Sequence, residues 1–207
     1  IDRSGSMAGE KIRNAKKAAK YVIDQMQSDD YLSVVIYDGT VDLLQDAVHP
    51  YNKQMIKNKI DAIQDRGGTN LMGGAMKGYT LVKKNYQEGY INRVLLLSDG
   101  LANEGITDPK QIERIVRKYN NEDGITISTF GVGADYNEDL MTAMAETGMG
   151  NYYFINDAEN IAGIFKKELN GLMEVVAQQA ILKITIPDYI NVEKVYGYNY
   201  DQMGRTL

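Results

Sequence analysis

Apolar positions fall along this chain in two rhythms that take turns. Over residues 9–27, Ile12, Ala15, Ala19, Val22 and Met26 return at steps of three and four, which predicts an amphipathic helix ended by Ser28-Asp29-Asp30. Tyr31-Leu32-Ser33-Val34-Val35-Ile36-Tyr37 is β-branched and almost continuously apolar, as a strand covered on both faces would be. Asp38-Gly39 signals a hairpin, and residues 41–48 read as a more mixed strand pairing antiparallel with the first at a sheet edge. Helical spacing resumes over residues 53–64 through Met55, Ile56, Ile60 and Ile63. It returns over residues 71–86, after the loop Asp65-Arg66-Gly67-Gly68-Thr69-Asn70. Asn92-Arg93-Val94-Leu95-Leu96-Leu97-Ser98 is the most strand-like run, and it ends at Asp99-Gly100.

The alternation continues to residue 172. Asp108-Pro109 caps and starts a helix with Ile112, Ile115, Val116 and Tyr119 on one face. Residues 125–132 and 151–155 read as strands, residues 137–145 as a short helix, and residues 158–172 as a helix striped by Ile161, Ile164, Phe165 and Leu169. Strands alternating with helices imply parallel pairing through right-handed crossovers. The expected fold class is therefore α/β: a doubly wound, mostly parallel, Rossmann-like sheet with one antiparallel edge strand. Near residue 176 the pattern changes to strict alternation, in residues 180–186 and 190–198 about a Pro187-Asp188 turn. The expected domains are 1–175, the α/β unit, and 176–207, a hairpin that opens a small β unit. The chain starts on Ile1-Asp2 and stops on Gly204-Arg205-Thr206-Leu207 just after a strand-like run, which reads as a piece cut at both ends.

Candidate chemistry begins with Asp2-Arg3-Ser4-Gly5-Ser6-Met7. One carboxylate and two hydroxyls at alternate positions around a turn at Gly5 can aim three oxygens at one point, which suits a hard divalent cation. By themselves the same residues describe a helix N-cap. Two later loops decide between these readings. Gly68-Thr69-Asn70 precedes a helix and Ser98-Asp99-Gly100 follows the apolar strand, and open α/β sheets place ligands beyond the C-terminal ends of their strands.

With those three loops in order, the chain resembles a von Willebrand factor type A (VWA) domain over about residues 1–173. The metal-ion-dependent adhesion site (MIDAS) of that family combines an Asp-x-Ser-x-Ser loop, a Thr from a second loop and an Asp from a third. The resemblance implies Asp2, Ser4, Ser6, Thr69 and Asp99 as the metal site, with Gly68 and Asn70 shaping the second loop. It implies that Ser4, Ser6 and Thr69 bind directly while Asp2 and Asp99 act largely through bound waters. The implied cofactor is Mg²⁺, alternatively Mn²⁺ or Ca²⁺. An open position on the cation would take an Asp or Glu carboxylate of a protein partner, so the expected function is a metal-dependent adhesion module and not an enzyme.

Gly148-Met149-Gly150-Asn151-Tyr152-Tyr153-Phe154 and the final helix resemble bacterial members related to the inter-alpha-trypsin inhibitor heavy chains, which implies an extracytoplasmic place, periplasmic or at the cell surface. In the family an apolar central strand directly precedes the Asp, and here only Ile1 of it is present. The strand is expected upstream or on another segment, residues 181–186 being one candidate. Two other functions stay open: a structural domain of a larger envelope or surface assembly, and a Mg²⁺-dependent phosphoryl hydrolase. Against the hydrolase stand Ser4 where a second Asp would be, the lack of a phosphate loop, and no Lys or general base in a motif beside Asp2. Glu104 reads as a solvated side chain near the rim.

Composition narrows the field further. The 207 residues, 43% hydrophobic and 25% charged, suffice for one substantial core. A formal charge of -5 disfavours nucleic acid and anionic membrane surfaces as partners. Without Cys, disulfides, thiolate chemistry and zinc–cysteine sites are excluded, and with His49 alone so is any two-His metal site. His49 reads as a surface residue, and Lys16, Lys17 and Lys20 as a solvated helix face. No apolar run reaches the length of about 18 residues that spans a bilayer. Tyr196, Tyr198 and Tyr200 alternate along one face of the tail.

Overall fold

Short polar side chains set where the helices begin. Asn52 accepts the N–H of Met55, Asn70 that of Gly73, Asp108 that of Gln111 and Asn137 that of Leu140, each pairing a donor that a helix start leaves over. The computed structural model describes residues 1–134, 136–157, 159–173, 184–187, 189 and 193. After a 3₁₀ turn at Gly5–Met7 come α1 (Glu10–Gln25), β1 (Leu32–Tyr37), β2 (Val41–Val48), α2 (Lys53–Asp61) and α3 (Leu71–Lys84). Then follow β3 (Arg93–Ser98), α4 (Pro109–Asp123), β4 (Thr126–Val132), α5 (Glu138–Thr147), β5 (Tyr152–Ile155) and α6 (Ile161–Met173).

β1 and β2 pair antiparallel about the Asp38-Gly39 turn, with Tyr37 opposite Val41. β3, β4 and β5 pair parallel in that order, Ser98 opposite Gly131 and Val132 opposite Ile155. Residues 1–3 lie between the two groups. The N–H of Asp2 donates to Leu97 O at 2.8 Å on the β3 side. Toward β1, Tyr37 N–H donates to Ile1 O at 3.1 Å and Arg3 N–H to Tyr37 O at 2.8 Å. The strand order is therefore β2, β1, residues 1–3, β3, β4, β5. Residues 181–183, part of the segment considered as an alternative filler of that slot, lie outside the described residues, as does most of the expected hairpin at 176–207.

The sheet is covered on both faces. Ile12, Ala15, Ala18 and Ile23 of α1, Ile56 and Ile60 of α2, and Ile161 and Phe165 of α6 share one core with Val34, Ile36, Leu97 and Phe130. Leu71, Met72 and Ala75 of α3, Ile112 and Val116 of α4, and Met141 and Met144 of α5 share the other with Tyr37, Val94, Leu96 and Ile127. Adjacent strand residues such as Leu96 and Leu97 enter opposite cores, which is why these strands read as unbroken apolar runs. The chain divides into two units, Ile1–Glu174 and Val175–Leu207.

The last helix departs from its expected bounds and stripe. Asp157 Oδ1 accepts the N–H groups of Glu159 and Asn160, which keeps that stretch in a turn and delays α6 to Ile161. Along α6 the fully buried position after Phe165 is Glu168, not Leu169. Glu168 accepts from Arg93 Nη1 at 2.7 Å, Ser128 Oγ at 2.6 Å and Asn151 Nδ2 at 2.9 Å, which makes burial of its charge tolerable. Phe165 stacks on Phe130 with ring centroids 4.3 Å apart. Truncation of Phe165 to Ala should cost about 3–5 kcal/mol of unfolding free energy, measured by urea titration, because it removes a fully buried ring from that stack.

Candidate metal centre

Asp2 leaves the sheet between β1 and β3 with its side chain wholly buried. Its Oδ1 accepts the Ser4 N–H at 2.8 Å and its Oδ2 accepts the Ser98 hydroxyl at 2.5 Å. Ser4, also buried, sits with its Oγ 3.0 Å from the Oγ of exposed Ser6. The 3₁₀ turn at Gly5–Met7 thus folds the first loop so that its carboxylate and two hydroxyls form one connected group. Asp99, the residue after β3, is wholly buried as well. One of its oxygens accepts the Leu101 N–H at 3.3 Å and the other takes the ammonium of Lys11 at 3.1 Å.

Thr69 is held by its backbone to the loop after β3. Its N–H donates to Asn103 Oδ1 at 2.8 Å, and its carbonyl accepts from the N–H groups of Asn103 and Glu104, both at 3.1 Å. The second loop is stitched to the first by Arg66 N–H to Arg3 O at 2.8 Å and Gly5 N–H to Gly67 O at 3.0 Å. Asn70 caps α3 with its side chain and donates its N–H to Asp38 O at 2.8 Å. Gly68 lies close to the Glu104 carboxylate: a Cβ there would lie 1.9 Å from Glu104 Oε1, so the Glu104 side chain would have to move. The five residues expected from sequence therefore stand on three interlocked loops. Hydrogen bonds link Asp2, Ser4 and Ser6 directly, while the Thr69 and Asp99 side chains make none to those three.

Several residues that frame the site carry no local sequence signal. Asp38 is the hub of one group: its Oδ2 accepts from Arg66 Nε at 2.7 Å and its Oδ1 from the Thr40 N–H and hydroxyl at 2.7 and 2.8 Å. Arg3 Nε lies 2.9 Å from the same carboxylate but off hydrogen-bonding alignment, so it contributes charge there while its other end pairs with Asp42. Burial alone would raise the Asp38 pKa, but the bonds from Arg66 and Thr40 and the Arg3 charge bring it down to about 2. Tyr37 ends β1 with a buried hydroxyl that has no hydrogen-bond partner among the described residues. Burial, followed by the charges of Asp2 and Asp99, pushes that phenol far up.

Asp2 differs from Asp38 in having no cationic partner among the described residues. Burial raises its pKa, the bonds from Ser98 and Ser4 lower it, and the Asp99 charge raises it again, with a net upward shift. Two buried carboxylates that repel each other, three hydroxyls and an orphan phenol nearby fit a hard divalent cation. Among the described residues no group of three or more His, Cys, Asp or Glu side chains converges, so the donors are mainly neutral oxygens and do not suit a soft metal. His49 is bound through Nδ1 to Asp30 O at 3.0 Å, at the opposite end of β1 from Asp2.

This fold and the three loops at the break in its strand order define a class. The chain belongs to the von Willebrand factor type A domain family, whose model matches residues 1–167. It is 32% identical over 206 residues to the uncharacterized protein YfbK of Escherichia coli K12, covering 98% of this chain and 36% of that protein. It is 30% identical over 205 residues to human inter-alpha-trypsin inhibitor heavy chain H3, covering 91% of this chain and 23% of that protein. The chain thus spans a minor part of either relative. Among solved structures, proximal thread matrix protein 1 of the mussel byssus, with a zinc-occupied MIDAS motif, has a similar fold at TM-score 0.63 and 16% identity, covering 82% of this chain and 45% of that one.

The Asp38 hub has a pH signature. Its folded-state pKa of about 2 lies below the ordinary carboxylate value near 3.9, so its contribution is complete above about pH 4 and is lost as pH falls through about 2. Asp38→Asn should lose about 1–3 kcal/mol at neutral pH. Urea titrations at a series of pH values should also show a shallower loss of stability below about pH 4 than in the wild type.

Proposed function

We propose that this domain is a metal-dependent protein-binding module. A divalent cation, Mg²⁺ before Mn²⁺ or Ca²⁺, is held by Asp2, Ser4, Ser6, Thr69 and Asp99, and its remaining coordination position accepts an Asp or Glu carboxylate of a partner protein. The observation that carries this reading is the pair of wholly buried carboxylates, Asp2 and Asp99, set beside hydroxyls at the ends of adjacent strand positions. Bound there, the cation supplies positive charge that so few anionic donors leave partly uncompensated. Arg66, whose side chain is 61% exposed on the second loop, adds a positive charge at the rim that favours an acidic partner.

The same arrangement weighs against a phosphoryl hydrolase. Both oxygens of Asp2 accept hydrogen bonds, His49 is at the far end of β1, and no third carboxylate joins the group among the described residues. Lys11 stands beside the site from α1, where it pairs with Asp99. We further propose that residues 1–175 act as the binding domain, followed by a β unit, and that the protein works outside the cytoplasm, as the family resemblance implies. Among the described residues no helix is long and apolar enough to cross a membrane.

Isothermal titration of metal-stripped protein with Mg²⁺, Mn²⁺ and Ca²⁺ tests the proposal. Saturable binding is expected, weakened at least about tenfold in Asp99→Ala, a loss of about 1.4 kcal/mol or more. Absence of heat for all three cations in folded protein would sink the metal reading. Thr69→Ala should lose carboxylate-dependent partner capture with little change in melting temperature, whereas a domain whose metal is only structural would melt earlier.

A further inference from the structure

Lys11 lies in the first turn of α1, just after the first loop and far in sequence from Asp99, yet its ammonium rests 3.1 Å from Asp99 Oδ2. Asp99 is fully buried and the Lys11 side chain is 19% exposed, so this is not a loose surface pair. Gly133, at φ +85, leaves the channel for the Lys11 stem: a Cβ there would lie 2.5 Å from Lys11 Cε and 2.8 Å from Cγ. Because Leu101 N–H holds Oδ1, both oxygens of Asp99 are engaged while the domain is in this arrangement. Asp2, by contrast, is met among the described residues by the neutral donors of Ser98 and Ser4.

We propose that Lys11 is the built-in counter-cation of this site: it holds Asp99 in the metal-free domain, and a divalent cation must displace it to bind. The inference rests on the metal reading above. Two buried carboxylates repel each other, and one tethered ammonium offsets part of that excess charge. The cost falls on the metal, which meets a site already partly neutralised and a like charge a few ångströms from its own. Lys11 thereby lowers metal affinity, keeps the loops folded between bound states, and couples the start of α1 to metal occupancy. It acts through Asp99 as a positioning residue.

The test compares wild type, Lys11→Met and Lys11→Arg by Mg²⁺ calorimetry at one ionic strength. Lys11→Met, similar in length but uncharged, should bind Mg²⁺ at least about tenfold tighter while its metal-free form melts at a lower temperature; Lys11→Arg should stay near wild type. Unchanged or weaker binding by Lys11→Met overturns the proposal. A second measurement needs no variant to fold: reductive methylation of Lys11 in wild-type protein, followed by mass spectrometry, should speed up when Mg²⁺ saturates the site. A Lys11 reactivity indifferent to bound Mg²⁺ overturns it too. Wild type that binds Mg²⁺ without these changes removes this inference and leaves the metal reading standing; failure of both wild type and Lys11→Met to bind removes both.

Discussion

The three-residue strand position between β1 and β3 is the constraint on which the remainder turns. Its backbone bonds to Leu97 on one side and to Tyr37 on the other join an antiparallel pair to a parallel trio. Unpaired backbone groups at that depth would be expensive, so the register of residues 1–3 is fixed. The chain then leaves in opposite directions: α1 carries it to β1 and β2 on one side, while α2 and α3 bring it back to β3 on the other. Open α/β sheets bind ligands at the C-terminal ends of the strands where such a reversal occurs. Asp2 stands at that edge because of where its own N–H is bonded, and Asp99 reaches the same edge because β3 is the next strand over. The site is a consequence of strand order before it is a consequence of side chains.

This explains which features could be read from the sequence. Periodicity is local, so the helices and strands were legible within a few residues, and the Asp-x-Ser-x-Ser loop was legible because its three oxygens lie within five positions. Thr69 and Asp99 were legible only through the family pattern. What could not be read were the pairs that close over long separations: Lys11 with Asp99, Ser98 with Asp2, Arg3 with Asp38, and Arg93 with Glu168. A Lys in a first turn and a Glu in an apolar stripe look ordinary until the fold brings their partners. The solvated face of α1 adds exposed contacts of the same long-range kind: Lys16 donates to Asp61 O and Lys20 pairs with Asp61 Oδ1 at the end of α2.

The sheet contains buried carboxylates toward both ends, and their surroundings differ in kind. Glu168 has one guanidinium, one hydroxyl and one amide donating to it; burial raises its pKa, but the bonds from Ser128, Asn151 and Arg93 bring it below the usual carboxylate range. Asp38 is likewise closed by Arg66, Thr40 and Arg3. Such groups are finished structures, in which the charge is met and nothing further is required. Asp2 is also buried and also bonded, yet among the described residues it receives only neutral donors, lies within the field of Asp99, and is shifted upward. The difference is the missing positive charge, since hydrogen-bond count alone does not separate Asp2 from its neighbours. Lys11 brings a positive charge to Asp99 from a helix that belongs to none of the three loops. A domain built only for stability could have closed this end as it closed the other, with an arginine. Its C-terminal strand edge instead leaves Asp2, among the described residues, with neutral donors alone, which is the electrostatic condition that the proposed divalent cation would meet.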